Sequence, residues 1–416
     1  MRTHLPQLAV MLAAAGMFVA PAHAASTDSL VDTTFGNAGW QRSFVFSGGS
    51  TDEHIVAAAR TPDGGYLLAG SRPGGAAGVS IFLAKLRQDG SYDSAFGNSA
   101  ATGNAGLGRV LKDAYLSSVT DMAIDAQGRI IVVGSTPGAL GQSDFGVVRF
   151  TSNGADDTSF AGDGGTGVAF DTDAAHSRVS DVPSSVTTLP DSSIIIVGKI
   201  DERISDNATN VVGIAKLKPD GSLDTNFNSG SALAQYCRAQ CTDVVSVARV
   251  VYDAPRNRLV IGGDYNAGLN NTDWFLITRD VASGTPSTYV YPIDFGGASG
   301  YQLAYMTNVA VQPDGKILAS GLAVVETLAV RPVVLRRQAS SVFEDTTFGN
   351  VSGRGIYRGL INDIVYNDVA VDSRGRIILV GTSGSPSRGT VERLTPNGIL
   401  DAPFSSGYVS FYDAPF

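Results

Sequence analysis

A ten-residue phrase recurs six times along this chain, and that recurrence constrains the fold more than any other feature. The copies are TPDGGYLLAG, ending at Gly70, DAQGRIIVVG, ending at Gly134, LPDSSIIIVG, ending at Gly198, DAPRNRLVIG, ending at Gly262, QPDGKILASG, ending at Gly321, and DSRGRIILVG, ending at Gly381. Their closing glycines stand 64, 64, 64, 59 and 60 residues apart. A fixed period of this length marks a structure that stacks one supersecondary unit many times.

Each copy reads as a hairpin. Alternating apolar residues lead into Pro-Asp-Gly, where proline presets φ, aspartate bonds its own backbone and glycine takes the left-handed position. A short apolar run follows, such as Ile130 to Val133, of the kind that suits a strand covered on both faces. A second phrase comes later in each unit: an apolar strand with one basic residue, a turn, then Asp-x-x-Phe. It occurs at Phe82–Gly97, Gly146–Phe160, Gly213–Phe227, Val333–Gly349 and Val391–Phe404, and is lost from the fourth unit around Trp274–Tyr291. A looser strand follows the phenylalanine. One unit is therefore four short antiparallel strands, and six units predict an all-β, six-bladed β-propeller. Seven blades remain the alternative, with residues 171–181 and 280–305 as the stretches that could hide one. Tail-like segments at both ends, Val31–Phe46 and Leu400–Tyr412, predict a seam made from both termini.

The first 24 residues read as a secretory signal peptide: Arg2, an apolar run from Leu8 to Ala20, then Ala22-His23-Ala24. The expected location is secreted or periplasmic, with residues 25–416 forming one propeller domain and no membrane span. With 39 acidic and 30 basic residues the net charge is −9. An acidic balance of this kind argues against nucleic acid as a partner.

The run PDGKILASG, followed by VVLRR and DTTFG, resembles the delta-sixty repeat of bacterial secreted proteins. The resemblance covers nearly all of the chain beyond residue 24 and is weakest in the fourth unit. It implies a propeller of unassigned function and brings no catalytic or binding residues with it.

Motifs for chemistry are sparse. Beyond the leader the histidines are His54 and His176, in different units, where a two-histidine metal site is not expected. No Gly-x-Ser-x-Gly elbow occurs. Gly103–Gly108 and Gly162–Gly167 are glycine clusters without a following helix, so they read as loops rather than phosphate cradles. The second, with Asp156 and Asp157, is the one place where calcium is a candidate ion. Cys237 and Cys241 are the only cysteines and, in an oxidising compartment, are expected to form a disulfide.

One basic residue recurs at a fixed place: Lys85, Arg149, Lys216, Arg336 and Arg393. These cations could line the channel and bind an anion. Alternatively each pairs with the aspartate of Asp-x-x-Phe, eight residues on in four units and nine in one. Facing residues of a hairpin share a side and sit close together, so the expected structural ion pairs are Lys85–Asp93, Arg149–Asp157, Lys216–Asp224, Arg336–Asp345 and Arg393–Asp401. No catalytic, cofactor-binding or metal residue is assigned. The expected function is a binding scaffold for a protein or glycan. A carboxylate-dependent hydrolase or lyase acting on a sugar or ester, with or without calcium, is the alternative.

Overall fold

The computed structural model describes residues 53–412 apart from 75–77, 98–106, 114, 139–141, 171–179, 205–206, 231, 237–243, 269–270, 285, 290–303, 326–328, 340–342, 360–363, 384–387 and 405–407, together with Asp32, Thr34 and Phe35. The expected signal peptide, Cys237, Cys241 and His176 lie outside the described residues. Six four-stranded antiparallel sheets make a six-bladed β-propeller. The blades run over residues 54–113, 121–168, 182–236, 244–289, 304–358 and 364–412. Among the described residues every sheet is built from consecutive strands. Tyr408–Tyr412 is the fourth strand of blade six and pairs with Arg388–Leu394; the amino-terminal tail expected to meet it at a seam lies, apart from Asp32, Thr34 and Phe35, outside the described residues. Blade four keeps its third and fourth strands, Asn271–Asp280 and Pro286–Tyr289, although its second phrase is gone. Main-chain pairing survives there because it needs backbone amides, not particular side chains.

Residues group into two compact units. Val31–Asp243 with Ala282–Gly284 holds blades one to three, and Val244–Val281 with Thr285–Phe416 holds blades four to six. In both units the core lies between blades. Ile130 and Val132 of the second strand of blade two pack with Leu67, Ala69 and Phe96 of blade one. Their neighbours Ile131 and Val133 turn the other way, toward Val186, Ile194 and Ile196 of blade three. A strand buried on both faces must be apolar at every position, which is why the recurring phrase does not alternate. Each such side chain contributes about 1.5–3 kcal/mol by leaving water. In the second unit Trp274 and Leu276 of blade four pack with Met306, Val309 and Val333 of blade five.

The glycine that closes each phrase is set by a close approach rather than by a turn. The first strand carries a bulge, as where its register with the second strand shifts between Met306 and Asn308. There its backbone presses a carbonyl onto the second strand. A Cβ on Gly134 would fall inside contact with the Ser118 carbonyl, and one on Gly321 inside contact with that of Tyr305. In blade four the corresponding shift, between Val247 and Arg249, falls one position later, so the pressed residue is Gly263, against Ser246, one position beyond the Gly262 of the recurring phrase.

Candidate functional site

The recurring cation sits on the third strand of its blade, one residue before the hairpin begins to close. Bridges such as Leu86 with Tyr92 and Phe150 with Asp156 fix the register. One step further from the turn, the Asp93 N–H donates to the Lys85 carbonyl at 2.9 Å and the Asp157 N–H to that of Arg149 at 3.1 Å. Side chains at facing positions then meet. Lys85 Nζ lies 3.0 Å from Asp93, Arg149 Nε 2.8 Å from Asp157, Lys216 Nζ 2.9 Å from Asp224, Arg336 NH2 2.8 Å from Asp345, and Arg393 Nε 2.6 Å from Asp401. The extra residue between Arg336 and Asp345 is taken up in the turn, where Gln338 closes on Phe343 while Arg87 closes on Ser91. These cations point at aspartates across their own hairpins, which disfavours the reading that they hold a common anion.

The phenylalanine of Asp-x-x-Phe completes each corner. Its N–H returns to the aspartate carbonyl, as from Phe160 to Asp157 at 3.0 Å. That turn carries the ring under the cation: Arg149 lies 4.5 Å from the Phe160 centroid, Arg336 4.6 Å from Phe348 and Arg393 4.5 Å from Phe404. A desolvated cation over a ring face gains about 2 kcal/mol or more. Burial pushes the Asp157 carboxyl up, but the Ser159 hydroxyl and the Arg149 guanidinium outweigh it and hold the group below its usual range. Burial likewise opposes ionisation of Asp345, yet the Thr347 hydroxyl, Lys316 and Arg336 bring it down to about 2. Blade one differs: Lys85 is shared with Asp63, 2.6 Å away, whose carboxyl is 57% exposed.

The corners of blades one, two and five also reach forward to a following hairpin. The N–H after the phenylalanine donates to a turn carbonyl: Gly97 to Asn153 at 2.8 Å, Ala161 to Asp220 at 2.8 Å and Gly349 to Asn397 at 3.0 Å. The ring seats on the turn glycine, and a Cβ on Gly154 would come within 2.8 Å of Phe96. Two guanidiniums go further, Arg149 donating to the Pro219 carbonyl and Arg336 to that of Pro396. Nothing in the motif alone shows these links, because each joins residues in different repeats.

Blade four keeps the register position of the cation, Arg279, opposite Leu259 as Arg149 is opposite Ile131. It has no Asp-x-x-Phe. The forward link is made instead by Arg258, which donates to the Ala339 carbonyl at 2.8 Å and to Gly315 at 3.1 Å. Ala339 holds the same turn position in blade five as Pro219 and Pro396 do in theirs. Arg256 donates to the Asp314 carbonyl beside it. Asp253, almost fully enclosed, orders both arginines.

Other residues that the sequence singles out are dispersed. His54 opens the first strand of blade one. Asp156 pairs with Lys112 at 2.7 Å, Asp157 with Arg149, and Asp163 accepts from the Tyr115 hydroxyl at 2.5 Å, so the three acids of the candidate calcium loop face three different donors. Among the described residues no three His, Cys, Asp or Glu side chains converge to hold a metal. Two carboxyls missed from sequence are raised by burial. Asp264 goes to about 7 and accepts from the Met306 N–H and the Ser246 hydroxyl, each at 2.7 Å. Glu392 is raised too and accepts from the Tyr357 and Tyr366 hydroxyls. At its register the other blades carry Ala84, Val148, Ala215, Thr278 and Leu335. The cluster is a local polar replacement of core, enclosed between blades five and six.

Comparison with known proteins places this architecture in a class. Residues 127–160 and 189–227, parts of blades two and three, match the family model described as a domain of unknown function (DUF5122) beta-propeller. Those two stretches are thus similar to a β-propeller repeat family of unknown function. No curated protein matches the chain in sequence. Among solved structures, polysaccharide lyase Uly1 is similar over 94% of this chain and 86% of its own, at 11% identity and a TM-score of 0.45. Prolyl oligopeptidase B from Galerina marginata is similar over 86% of this chain at 13% identity and a TM-score of 0.43, and the chain spans 42% of that enzyme. A protein of unknown function from Dyadobacter fermentans is similar over 70% of this chain and 81% of its own, at 10% identity and a TM-score of 0.41. No helix among the described residues is long and apolar enough to cross a membrane.

Proposed function

We propose that this chain is an exported, non-enzymatic scaffold whose hairpin tips bind a protein or glycan. One observation carries the reading: the frame of the corner repeats while its tip does not. Two residues before the paired aspartate stand Ser91, Ala155, Ser222, Phe343 and Ile399, each closing the same hairpin by accepting an N–H. Phe343 is 77% exposed and Ile399 53%, on blades five and six of one unit. A rigid frame with variable loop tips is how binding surfaces are commonly built. The similarity to delta-sixty repeats and the expected signal peptide support export. A hydrolase or lyase has less support, because Asp264 and Glu392, whose burial suits a general acid, are enclosed with partners from the fold.

The test is a panel of immobilised glycans and extracellular proteins, probed with the wild-type chain and with the double variant Phe343→Ser, Ile399→Ser. A partner held by the wild type and lost by an equally stable variant supports the reading. A partner indifferent to the substitutions, or turnover of a sugar by the wild type, overturns it.

A further inference from the structure

The amino-terminal segment carries a sixth copy of the corner motif, Asp32-Thr33-Thr34-Phe35, ahead of the first strand of blade one. Its internal turn is the same as the others. The Phe35 N–H returns to the Asp32 carbonyl at 3.0 Å, and the Thr34 N–H and hydroxyl reach one Asp32 oxygen at 2.9 and 2.5 Å. Ser159 and Thr347 do the same on Asp157 and Asp345. The Phe35 ring meets Tyr66 of blade one edge to face, at 5.8 Å between centroids.

What differs is the anchoring. The five other corners are held from behind by a cation eight or nine residues earlier on the same hairpin. The residue eight before Asp32 is Ala24. Phe96, Phe160, Phe227, Phe348 and Phe404 are all buried, whereas Phe35 is half-buried and Asp32 and Thr34 are exposed. The amino-terminal corner is therefore a guest on blade one, recognised through its ring and its turn. Such recognition does not require the guest to belong to the same molecule, and exchange of an identical element between copies is a low-cost route to association.

We propose that the seat at Tyr66 on blade one is a recognition site for Asp-x-x-Phe segments in trans, and that its partner is the amino-terminal segment of a second copy of this chain. The site is independent of whatever the hairpin tips bind. Full-length protein is titrated into a labelled peptide of residues 31–36, using the wild type and the variant Phe35→Ala, whose resident segment no longer competes. The variant is expected to bind the peptide about tenfold more tightly than the wild type, and a peptide with alanine for the phenylalanine to bind about tenfold more weakly, the scale of one lost aromatic contact. Sedimentation of the wild type is expected to show a concentration-dependent dimer that Phe35→Ala removes. Equal peptide binding by both proteins, equal binding of both peptides, or a wild type that stays monomeric at every concentration overturns the proposal. The alanine peptide needs no change in the protein, so its outcome does not depend on how a variant folds.

Discussion

The substitution Asp157→Ala, set against Asp93→Ala, tests the energetics of the corners most directly. Arg149 is 1% exposed, and its guanidinium is distributed among Asp157, the Ser159 hydroxyl, the Pro219 carbonyl and the Phe160 ring. Asp157 supplies its only countercharge within ion-pair distance among the described residues. Removing it leaves a buried cation without compensation and frees the Ser159 N–H and hydroxyl. Breaking a buried pair from one side costs about 3–5 kcal/mol. In blade one the same change leaves Lys85 with Asp63, a partner in contact with solvent, and the cost falls to about 1 kcal/mol or less. Urea unfolding of the two variants, followed by far-ultraviolet circular dichroism, reads the difference. A third variant, Arg149→Met with Asp157→Leu, removes both charges and is expected to recover most of the loss, since an apolar pair of similar volume is tolerated in such a site. Equal costs for Asp157→Ala and Asp93→Ala would refute the argument that enclosure and the single countercharge set the magnitude. So would a double variant no more stable than Asp157→Ala.

Gly134→Ala is expected to destabilise by about 1–3 kcal/mol or more, because the segment leading into the first strand must move its Ser118 carbonyl aside; thermal unfolding checks it, and an unchanged midpoint would contradict the close approach. Asp264, ordinarily near 3.8 and raised to about 7, makes the ionised form costly in the folded state, so stability is highest below about pH 4 as far as this group is concerned and falls as pH rises through 7. Asp264→Asn should flatten that slope and gain stability at pH 8, measured by urea midpoints across pH. Asp345, lowered to about 2, acts in the opposite sense: its contribution is present above about pH 4 and disappears as pH falls toward 2, and Asp345→Asn should remove that acid-limb loss. Arg258→Ala is expected to cost about 1–3 kcal/mol by leaving the Ala339 and Gly315 carbonyls without this donor and Asp253 with Arg256 as its remaining cation, with amide exchange rising first in blades four and five.

Much of the architecture is legible in the chain because it is written locally. Pro-Asp-Gly turns need only their own residues: Gly64 and Gly315 both stand at φ +85, and where glycine is missing Ser192 and Asn257 adopt positive φ instead. Two-sided burial shows as an unbroken apolar run. The facing of cation and aspartate follows from counting across a hairpin whose turn is fixed, which is why the positions of Lys85 and Asp93 can be read without coordinates. The links that join blades are not legible. Arg149 and Pro219 are 70 residues apart, and no short-range pattern shows which carbonyl a guanidinium will find. The role of phenylalanine as a lid on the cation is present in Asp-x-x-Phe as a spacing but emerges only when the turn rotates the ring. Blade four is the hardest to read. Its bulge sits one position later and moves the close approach from Gly262 to Gly263, and its forward contact passes from a corner to Arg258, a residue that looks like an ordinary turn cation.

A corner tied to its own blade and reaching one hairpin ahead means that each repeat brings both a plug and a socket. Duplicating one unit inside such a chain would supply a socket for the plug before it and a plug for the socket after it, leaving no interface unmatched. Descent by copying is then chemically neutral at the junctions, and a change in blade number needs no simultaneous invention of a new contact. Blade four shows the complementary freedom: once an arginine reaches the neighbouring carbonyl, the plug itself becomes dispensable, and the segment that carried it is released from the repeat and free to diverge.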